Sequence, residues 1–261
     1  MIPKIIHYCW FGGAKKSGLI KECIQSWHTF LPDYKIVEWN ETNSDLSHPF
    51  VQKAYQQKMW AFVSDYVRLD VLSKYGGIYL DTDMMILKNF DALLNHQCFF
   101  GAEDKNFINC SIIGCQAGFQ FIEKCKLIYN EVINVNATKE ITIPKLVTNE
   151  FREYYAFKDV FTEILKIDEI TIYPEHYFYP LPYSNKWDLK NYKNYIHIRS
   201  FAVHLWSSSW VPNSEFQDIR NGYYYVGFKK VWNKIKRDKK INWSYIKKIV
   251  SALKTSLTNE K

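Results

Sequence analysis

The sequence lacks the short motifs that mark several large enzyme classes. It holds no G-x-G-x-x-G and no G-x-x-x-x-G-K-[S/T] pattern, which argues against a dinucleotide-dependent enzyme and against a P-loop kinase. It also holds no G-x-S-x-G pattern, and none of its six cysteines lies in an electropositive helix-start context. Serine-hydrolase and cysteine-protease chemistry are therefore not expected.

Paired cysteines are missing as well. The six cysteines form no C-x-x-C pair, and most of them lie inside apolar runs. This pattern predicts free thiols in the core of a protein that folds in a reducing compartment. It does not favour a zinc site.

Long apolar runs are also absent. No stretch of about 18 apolar residues occurs, so we expect no membrane-spanning helix. The first apolar run, residues 2–11, is short, has no basic region before it and continues into a glycine turn. We therefore expect no signal peptide, and these absences together predict a cytoplasmic protein.

The apolar content that is present is enough for a packed domain. The chain has 261 residues, of which 47% are hydrophobic, and this fits one sizeable core with or without an appendage. The net charge of +7 is uneven, because residues 229–261 hold eleven Lys or Arg and two acids, which leaves −2 for residues 1–228. A body with that charge is not expected to bind nucleic acid.

The order of apolar segments predicts an α/β fold. Residues 4–11 form a strand-like run that ends at Gly12-Gly13, residues 18–30 repeat at helical period, and residues 34–39 form a second strand. A strand, a helix and a strand at this spacing make a βαβ unit. The further predicted strands are 78–80, 84–87, 98–101, 110–114, 170–173 and 195–206, and the further helices are 49–59, 60–75, 119–133, one that opens at 145, 228–237 and one capped by Asn242.

The stretch from Ser64 to Asp83, which reads SDYVRLDVLSKYGGIYLDTD, is expected to organise the site. It predicts a helix that ends in a left-handed cap at Gly76, then a short strand that runs into Asp81 and Asp83. Residues i and i+2 of a strand point to the same face, so the two carboxylates should meet there. Two carboxylates so close favour a divalent cation, at the strand end where open α/β sheets bind ligands.

Two charged residues lie on the helix before this strand. Asp65 falls on the apolar stripe of the helix, and Arg68 follows one turn later. An intrahelical ion pair at the edge of the core is the simpler interpretation. A ligand-binding role for both residues is the alternative.

Aromatic residues and a late histidine give two further candidates. Tyr8 and Trp10 end the first apolar run, either as core residues or, for Trp10, as a surface on which a nucleobase stacks. His204 lies between apolar residues near the end of a predicted strand. It is either a satisfied core histidine or a ligand of a metal such as Mn²⁺.

Three segments together resemble a known family. IPKIIHYCWFGG, SDYVRLDVLSKYGGIYLDTDM and HLWSSSW make the region from Ile2 to Trp210 resemble glycosyltransferase family thirty-two, the DXD-motif sugar transferases of the capsular-polysaccharide and initiating-mannosyltransferase type. The region is also similar to the glucosylating domain of the large clostridial toxins. The resemblance implies a GT-A type, Rossmann-like nucleotide-sugar-binding sheet flanked by helices, followed here by a basic helical appendage.

The resemblance also implies a role for each matching residue. Trp10 would stack on the base, Asp65 and Arg68 would hold the donor sugar and phosphate, and the metal would be Mn²⁺ or Mg²⁺. The matching residues are, for catalysis, Asp65, Arg68, Asp81 and Asp83; for donor binding, Tyr8, Trp10, Asp65, Arg68, Asp81, Asn109, Trp206 and Trp210; and for the metal, Asp81, Asp83 and His204.

The implied activity is the retaining, metal-dependent transfer of a hexose from a nucleotide-sugar, first of all a UDP-sugar. The acceptor would be a saccharide, free or lipid-linked, in capsule, lipopolysaccharide or O-antigen synthesis. Two alternatives are an effector-type glycosyltransferase that modifies a protein and a non-catalytic sugar- or metal-binding domain. A non-catalytic domain would not require Arg68, Asp81 and Asp83 together.

The chain is expected to divide near its C-terminus. Residues 1–227 would form the catalytic domain, and residues 228–261 a pair of basic amphipathic helices. Such helices favour a position on an anionic membrane leaflet, here the inner face of the plasma membrane. A solvated appendage, or one that packs on a partner, is the alternative.

Overall fold

The computed structural model describes residues 1–131, 142–207, 215–220, 222–238 and 242–258. The chain divides into two compact units, residues 1–207 and residues 208–261. The boundary predicted at residues 227/228 falls inside the second unit, so a helix at Glu215–Arg220 belongs with the C-terminal helices. The assignment of residues 1–227 as a catalytic domain stays a prediction.

The first unit opens with the predicted βαβ unit. Strand β1 (Ile5–Cys9), helix α1 (Gly18–Phe30) and strand β2 (Lys35–Trp39) follow one another, and β1 pairs with β2 in parallel. Helix α1 begins where the sequence predicted, because the Ser17 hydroxyl accepts a hydrogen bond from the Ile20 amide and caps the first turn.

The remaining elements of the first unit continue the alternation of helix and strand. They are the helices α2 (Pro49–Gln56), α3 (Trp60–Tyr75), α4 (Gln120–Glu131) and α5 (Ile143–Tyr154), and the strands β3 (Gly77–Leu80), β4 (Met84–Ile86), β5 (Cys98–Ala102), β6 (Ile108–Cys115), β7 (Leu165–Ile167), β8 (Ile170–Tyr173) and β9 (Ala202–His204). Helix α3 has the bounds that the sequence predicted.

Seven strands form one mixed sheet in the order β2-β1-β3-β6-β5-β8-β7. Strands β2, β1 and β3 run parallel, β6 is antiparallel to both β3 and β5, β8 is parallel to β5, and β7 is antiparallel to β8. Strands β4 and β9 form a separate two-stranded sheet. The predicted α/β class is confirmed.

A hydrophobic core lies on each face of the large sheet. Alternate residues of β1 divide between the two cores, with Ile6 and Tyr8 in one and Cys9 in the other. Trp27 of α1 packs in the first core and Leu69 of α3 in the second. All six cysteines are buried and free, which confirms the prediction of core thiols.

The turn between α3 and β3 differs from the predicted left-handed cap. Gly76 has φ 62° and ψ −162°, so its φ is positive but its ψ is extended. A β-carbon at Gly76 would lie 2.6 Å from the Ala117 amide nitrogen and 2.9 Å from the Cys115 carbonyl oxygen. The glycine is therefore needed for a sharp exit from the helix and for close contact with the end of β6.

The late strand is much shorter than predicted. Only Ala202–His204 of the predicted residues 195–206 form a strand, and Leu189–Tyr195 form a 3₁₀ helix instead. Strand β9 is short because its partner β4 has only three residues. The ladder of hydrogen bonds between them therefore ends at the Met84–His204 pair.

The second unit contains α6 (Glu215–Arg220), α7 (Tyr224–Asp238) and α8 (Trp243–Thr258). Asn242 caps α8 as predicted, because its side-chain oxygen accepts a hydrogen bond from the Tyr245 amide, 2.8 Å away. Of the five apolar residues predicted to share one face of α8, Ile249 and Leu253 pack against the core of this unit, whereas Ile246, Val250 and Leu257 are exposed. Within the described parts of the chain, no helix is long and apolar enough to cross a membrane.

His7 of β1 is a buried histidine whose two ring nitrogens are both engaged. Its Nε2 donates to the Gly76 carbonyl at 2.8 Å, and its Nδ1 accepts from the Trp39 indole N–H at 3.0 Å. Both contacts are satisfied by the neutral ring, and a proton on Nδ1 would face the indole donor. Burial lowers the pKa of His7 from 6.5 to about 4.

This arrangement predicts an acid-sensitive fold. Between pH 6.5 and about 4 the unfolded chain binds a proton at His7 that the folded protein does not, so stability falls as the pH falls through this window. His7→Gln should remove about 3 kcal/mol of that decline in the free energy of unfolding. Denaturant titrations at several pH values measure it.

The exposed His28 provides the control for this experiment. His28→Gln should keep the pH dependence of the natural sequence. Equal slopes for His7→Gln and the natural sequence would contradict the assignment.

Candidate functional site

Arg68 of α3 lies at the centre of a buried charged cluster. Its guanidinium is 2.9 Å from Asp65 Oδ1 and 3.3 Å from Asp81 Oδ1, and it donates to the Cys110 carbonyl at 2.7 Å. It also lies 4.5 Å from the centre of the Tyr79 ring. The predicted intrahelical pair exists, but the same guanidinium also reaches the first acid after β3.

The electrostatics of this cluster follow from burial and from the shared cation. Burial raises the pKa of Asp65 to about 7, against the opposing effect of Arg68, and Asp81 adds to the rise. Arg68 stays charged, because the acids around it raise its pKa against the effect of burial. One cation thus serves two acids, and only one acid can be fully neutralised by it.

Asp81 and Asp83 converge through a turn and not through strand alternation. Strand β3 ends at Leu80, and the Met84 amide donates to the Asp81 carbonyl at 3.1 Å. The expectation that both acids belong to the strand is therefore wrong. The Asp81 amide still donates to the Ser111 carbonyl of β6 at 2.8 Å, which fixes the start of the turn to the sheet.

The segment that follows β9 wraps around Asp83. His204 Nε2 lies 3.0 Å from Asp83 Oδ1, and the Ser207 amide donates to Oδ2 at 2.7 Å. The Leu205 amide donates to the Asp83 carbonyl at 3.0 Å. Each group comes from a residue more than a hundred positions away from Asp83, so the pairing of β4 with β9 creates this half of the site.

Trp206 adopts a backbone conformation that a large side chain rarely takes. Its φ is 49°, in the left-handed region, and this bends the chain between His204 and Ser207. The indole ring lies 4.0 Å from the His204 ring, centre to centre, and its N–H donates to the Leu181 carbonyl at 2.8 Å. The bend places a ring beside His204 and an amide on Asp83.

Asp81, Asp83 and His204 bring together the donor set of a divalent metal site. Their candidate ligand atoms all lie within 4.8 Å of one another. Two carboxylates and an imidazole suit Mn²⁺, and the carboxylates suit Mg²⁺ as well. His204 Nδ1 is buried, and among the described residues it has no hydrogen-bond partner. The residues present therefore fit such an ion.

Asp83 and His204 form an ion pair in the protein without metal. Burial acts to raise the pKa of Asp83, but His204 and the hydrogen bonds from Ser207 together outweigh it and lower that pKa to about 2. Burial acts to lower the pKa of His204, and Asp83 outweighs it in turn and raises that pKa. A metal at this site would replace the proton on His204.

Tyr8 and Trp10 lie at the carboxyl end of β1. The pairing of His7 with Tyr79 places this end beside the carboxyl end of β3 and hence beside Asp81. The Trp10 indole donates to the Ala14 carbonyl at 2.7 Å. A base-stacking role for this ring stays a prediction, and Trp210 lies outside the described residues.

Tyr8 belongs to a small polar group at the same edge. Its hydroxyl donates to Glu38 Oε2 at 2.5 Å, and Lys16 Nζ lies 2.7 Å from the same oxygen. The Lys16 ammonium also lies over the Tyr8 and Trp10 rings. The charged neighbours were not foreseen, because Lys16 precedes α1 and Glu38 is in β2.

Asn109 belongs to a chain of hydrogen bonds that reaches His204. Its amide group donates to Glu103 Oε2 at 2.6 Å, and its side-chain oxygen accepts from the Ser111 amide at 2.7 Å. Ser111 Oγ lies 3.4 Å from His204 Nε2. Glu103 and Ser111 are thus additional members of the site that the sequence interpretation missed.

One signal in the sequence marks Glu103. It follows the predicted strand 98–101 just as Asp81 follows its own strand, and polar residues at strand ends of one sheet tend to converge. Burial raises the pKa of Glu103. Ser111 lies inside a strand among apolar residues and carries no comparable signal.

Metal binding gives a direct test of the three-residue cluster. The natural sequence should bind Mn²⁺ more tightly as the pH rises, because the metal competes with the proton that Asp83 stabilises on His204. Asp83→Asn should weaken Mn²⁺ binding at least about tenfold, since it removes a charged ligand. Isothermal titration calorimetry measures both effects.

The exposed Asp33 is the matched control, and Asp33→Asn should bind Mn²⁺ like the natural sequence. Unchanged affinity in Asp83→Asn would exclude the cluster as the metal site. Circular dichroism of each variant separates a lost ligand from a lost fold.

The stretch that carries the charged cluster and both turn acids also matches known proteins. Residues 18–100 match the family model described as "Glycosyltransferase sugar-binding region containing DXD motif". The matched glycosyltransferase region covers Asp65, Arg68, Asp81 and Asp83 but less than half of the chain.

Curated relatives are glycosyltransferases too. The chain is 26% identical over 165 residues to lactosylceramide 4-alpha-galactosyltransferase of Homo sapiens, a match of 60% of this chain and 44% of that protein. It is 30% identical over 129 residues to inositol phosphoceramide mannosyltransferase 3 of Schizosaccharomyces pombe, a match of 46% of this chain and 35% of that protein. The chain thus spans about half the length, or less, of these relatives. A glycosyltransferase L373 of Acanthamoeba polyphaga mimivirus, itself uncharacterized, is 27% identical over 82% of this chain and 85% of its own length.

Solved structures show a looser likeness. PaToxG glycosyltransferase has a TM-score of 0.49 at 19% identity and covers 59% of this chain and 70% of its own. The galactosyltransferase LgtC, solved with donor and acceptor sugar analogs, has a TM-score of 0.46 at 9% identity. The match covers 94% of this chain and 99% of LgtC. Both scores are below 0.5.

Proposed function

We propose that the chain is a retaining, metal-dependent glycosyltransferase of GT-A type that moves a hexose from a nucleotide-sugar, first of all a UDP-sugar, to a saccharide acceptor. The observation that carries the proposal is the contact of Arg68 with Asp81, which joins the buried charged cluster to the three-residue metal cluster. Both clusters lie largely within the matched glycosyltransferase region. Membership of glycosyltransferase family thirty-two is part of the same proposal.

The metal would be Mn²⁺ or Mg²⁺, held by Asp81, Asp83 and His204. When bound, such an ion supplies positive charge beside a diphosphate. The Ser207 amide and the Asp83 side chain form a charge-assisted hydrogen bond that keeps one carboxylate oxygen in place.

The residues of the chain bind and orient the donor. Arg68 offers a fixed guanidinium to the phosphate side of the donor, and Asp65 accepts hydrogen bonds from the sugar hydroxyls. Trp10 and Tyr8, at the carboxyl end of β1, lie on the side of the base. Asn109 and Trp206 complete the donor pocket on the side of His204.

The reaction breaks the bond between the anomeric carbon and the diphosphate oxygen. The positive charge of Arg68 stabilises the negative charge that develops on the departing nucleoside diphosphate. The acceptor hydroxyl attacks the same carbon from the face that the diphosphate leaves, and its proton passes to a phosphate oxygen. The new glycosidic bond therefore keeps the anomeric configuration, and no enzyme nucleophile is required.

The acceptor is proposed to be a saccharide of capsule, lipopolysaccharide or O-antigen synthesis, with a lipid-linked saccharide as the leading form. Two of the relatives are named for ceramide lipids, lactosylceramide and inositol phosphoceramide. Those names describe the relatives, and they support a lipid-linked acceptor only by likeness.

The second unit supports a position at a membrane surface. Tyr225, Trp232 and Trp243 are 79%, 58% and 68% exposed. Lys229 lies over the Tyr225 ring at 5.9 Å and Lys236 over the Trp232 ring at 5.3 Å. Exposed aromatic rings interleaved with cations suit the interface of an anionic leaflet. We place the enzyme on the cytoplasmic face of such a membrane.

Donor hydrolysis gives the first test of the function. The natural sequence, screened against UDP- and GDP-sugars with Mn²⁺ or Mg²⁺, should hydrolyse at least one donor only when a metal is present. Arg68→Lys should lower the rate at least about a hundredfold, because a lysine cannot contact Asp65, Asp81 and a phosphate together. Nuclear magnetic resonance of the product of transfer reads the anomeric configuration.

Exposed Arg199 provides the control, and Arg199→Lys should hydrolyse the donor at the natural rate. A chain that hydrolyses no nucleotide-sugar with either metal would contradict the proposal. Because Arg68 is buried, thermal unfolding of Arg68→Lys must accompany the rate measurement.

Vesicle binding tests the surface of the second unit. The full chain should co-sediment with phosphatidylserine vesicles more than with phosphatidylcholine vesicles. Tyr225→Ser, Trp232→Ser and Trp243→Ser, made together, should reduce this partitioning by at least about tenfold because the rings no longer enter the interface. Leu127→Ser, which changes an exposed apolar residue of the first unit, should leave it unchanged. Equal sedimentation of the triple variant and the natural chain would refute the membrane role.

A further inference from the structure

A short segment after β8 presents two exposed aromatic rings close together. Tyr183 and Trp187 are 50% and 45% exposed, although large aromatic residues are usually buried well beyond this. Lys186 lies between them in sequence and over both rings in space, 3.7 Å from the centre of the Tyr183 ring and 4.9 Å from that of Trp187. We call these three residues the aromatic platform.

The platform is continuous with the candidate site. The Tyr183 ring lies 5.1 Å from the Trp206 ring, which lies 4.0 Å from the His204 ring. The Trp206 indole is fixed by its hydrogen bond to the Leu181 carbonyl, two residues before Tyr183. A path of ring contacts therefore runs from the metal cluster out to the exposed rings.

The platform is held by polar contacts of its own segment. Asp188 accepts from the Tyr195 hydroxyl at 2.8 Å and from the Asn191 side chain at 2.7 Å. The Asp188 amide donates to the Asn185 carbonyl at 2.8 Å. These bonds shape the backbone around Trp187 without burying its ring, so the rings are arranged before any ligand arrives.

We infer that the aromatic platform is the subsite for the acceptor saccharide. When the sugar binds, the Lys186 ammonium leaves the faces of the Tyr183 and Trp187 rings and donates hydrogen bonds to oxygens of the sugar. One apolar face of the pyranose, which carries C–H groups, then packs on the two rings. This inference rests on the proposed glycosyltransferase activity and adds to it the place of the second substrate.

Position and chemistry favour a saccharide at the platform. The acceptor hydroxyl must reach the anomeric carbon next to the diphosphate. The path of ring contacts begins at His204, a member of the metal cluster beside which the diphosphate would bind. The Lys186 ammonium beside both rings supplies hydrogen-bond donors that the oxygens of a sugar can accept.

The test separates the acceptor from the donor. The natural chain is assayed for donor hydrolysis and for transfer to a panel of octyl glycosides, the glucoside, galactoside, mannoside and lactoside, and the best acceptor is used for the variants. Tyr183→Ala and Trp187→Ala should each raise KM for that glycoside by about tenfold, the loss expected for one aromatic contact. The fold-change in KM for the glycoside should be larger than the fold-change in the rate of donor hydrolysis.

Tyr154→Ala is the matched control, because Tyr154 is similarly exposed but lies on α5. It should keep the natural KM for the glycoside. Tyr183→Phe should keep it as well, because stacking needs the ring and not the hydroxyl.

Each outcome decides one point. An unchanged KM in both alanine variants would overturn the subsite, and so would a natural chain that hydrolyses its donor but transfers to no glycoside of the panel. A natural chain that neither hydrolyses nor transfers would contradict the proposed function instead.

Discussion

The buried guanidinium of Arg68 is the interaction on which the site depends. A cation inside a protein must be matched by acceptors, because burying it without them is costly. Its acceptors come from one turn earlier on α3, from the turn after β3 and from the backbone of β6. The helix is therefore fixed to the sheet at the point where the acids begin. Two carboxylates share the one cation, so the cluster keeps negative charge beside Asp83 and favours a second cation there.

The other half of the site depends on a very short piece of sheet. Three residues of β4 pair with three of β9, and this pairing places the His204 side chain and the Leu205 amide against Asp83. The bend at Trp206 then brings the Ser207 amide to Asp83 and leaves the indole ring beside His204. The same bend begins the path of rings that leads to Tyr183. The His204 ring, which contacts Asp83, and the exposed Tyr183 ring thus both lie against Trp206.

Sequence patterns predict the parts of this molecule that local forces decide. Helix α1 has its predicted bounds because Ser17 caps its first turn and Pro32 follows its last. Helix α3 ends at its predicted residue because Gly76 follows it, whereas its start has no side-chain cap. The pairing of Asp81 with Asp83 was predicted for the wrong reason, since a turn and not a strand joins them. The contacts of Arg68 with Cys110 and of Trp206 with Tyr183 join residues far apart in sequence, and no local pattern encodes them. The contact of Asn109 with Glu103 spans only six residues and depends on the pairing of β5 with β6. The short β9 follows from the length of its partner, which its own sequence does not contain.

The distance in sequence between Asp83 and His204 has a thermodynamic consequence. The two residues are 121 positions apart, and their side chains meet at 3.0 Å. A ligand that binds both closes a loop that includes β5 to β8 and the helices α4 and α5. In the unfolded chain, a ligand that binds both residues would have to close this loop at a cost in conformational entropy. In the folded protein the loop is already closed, so the ligand does not bear that cost. A ligand that binds both residues only in the folded state stabilises that state by mass action, so occupancy of this edge of the sheet raises the stability of the first unit.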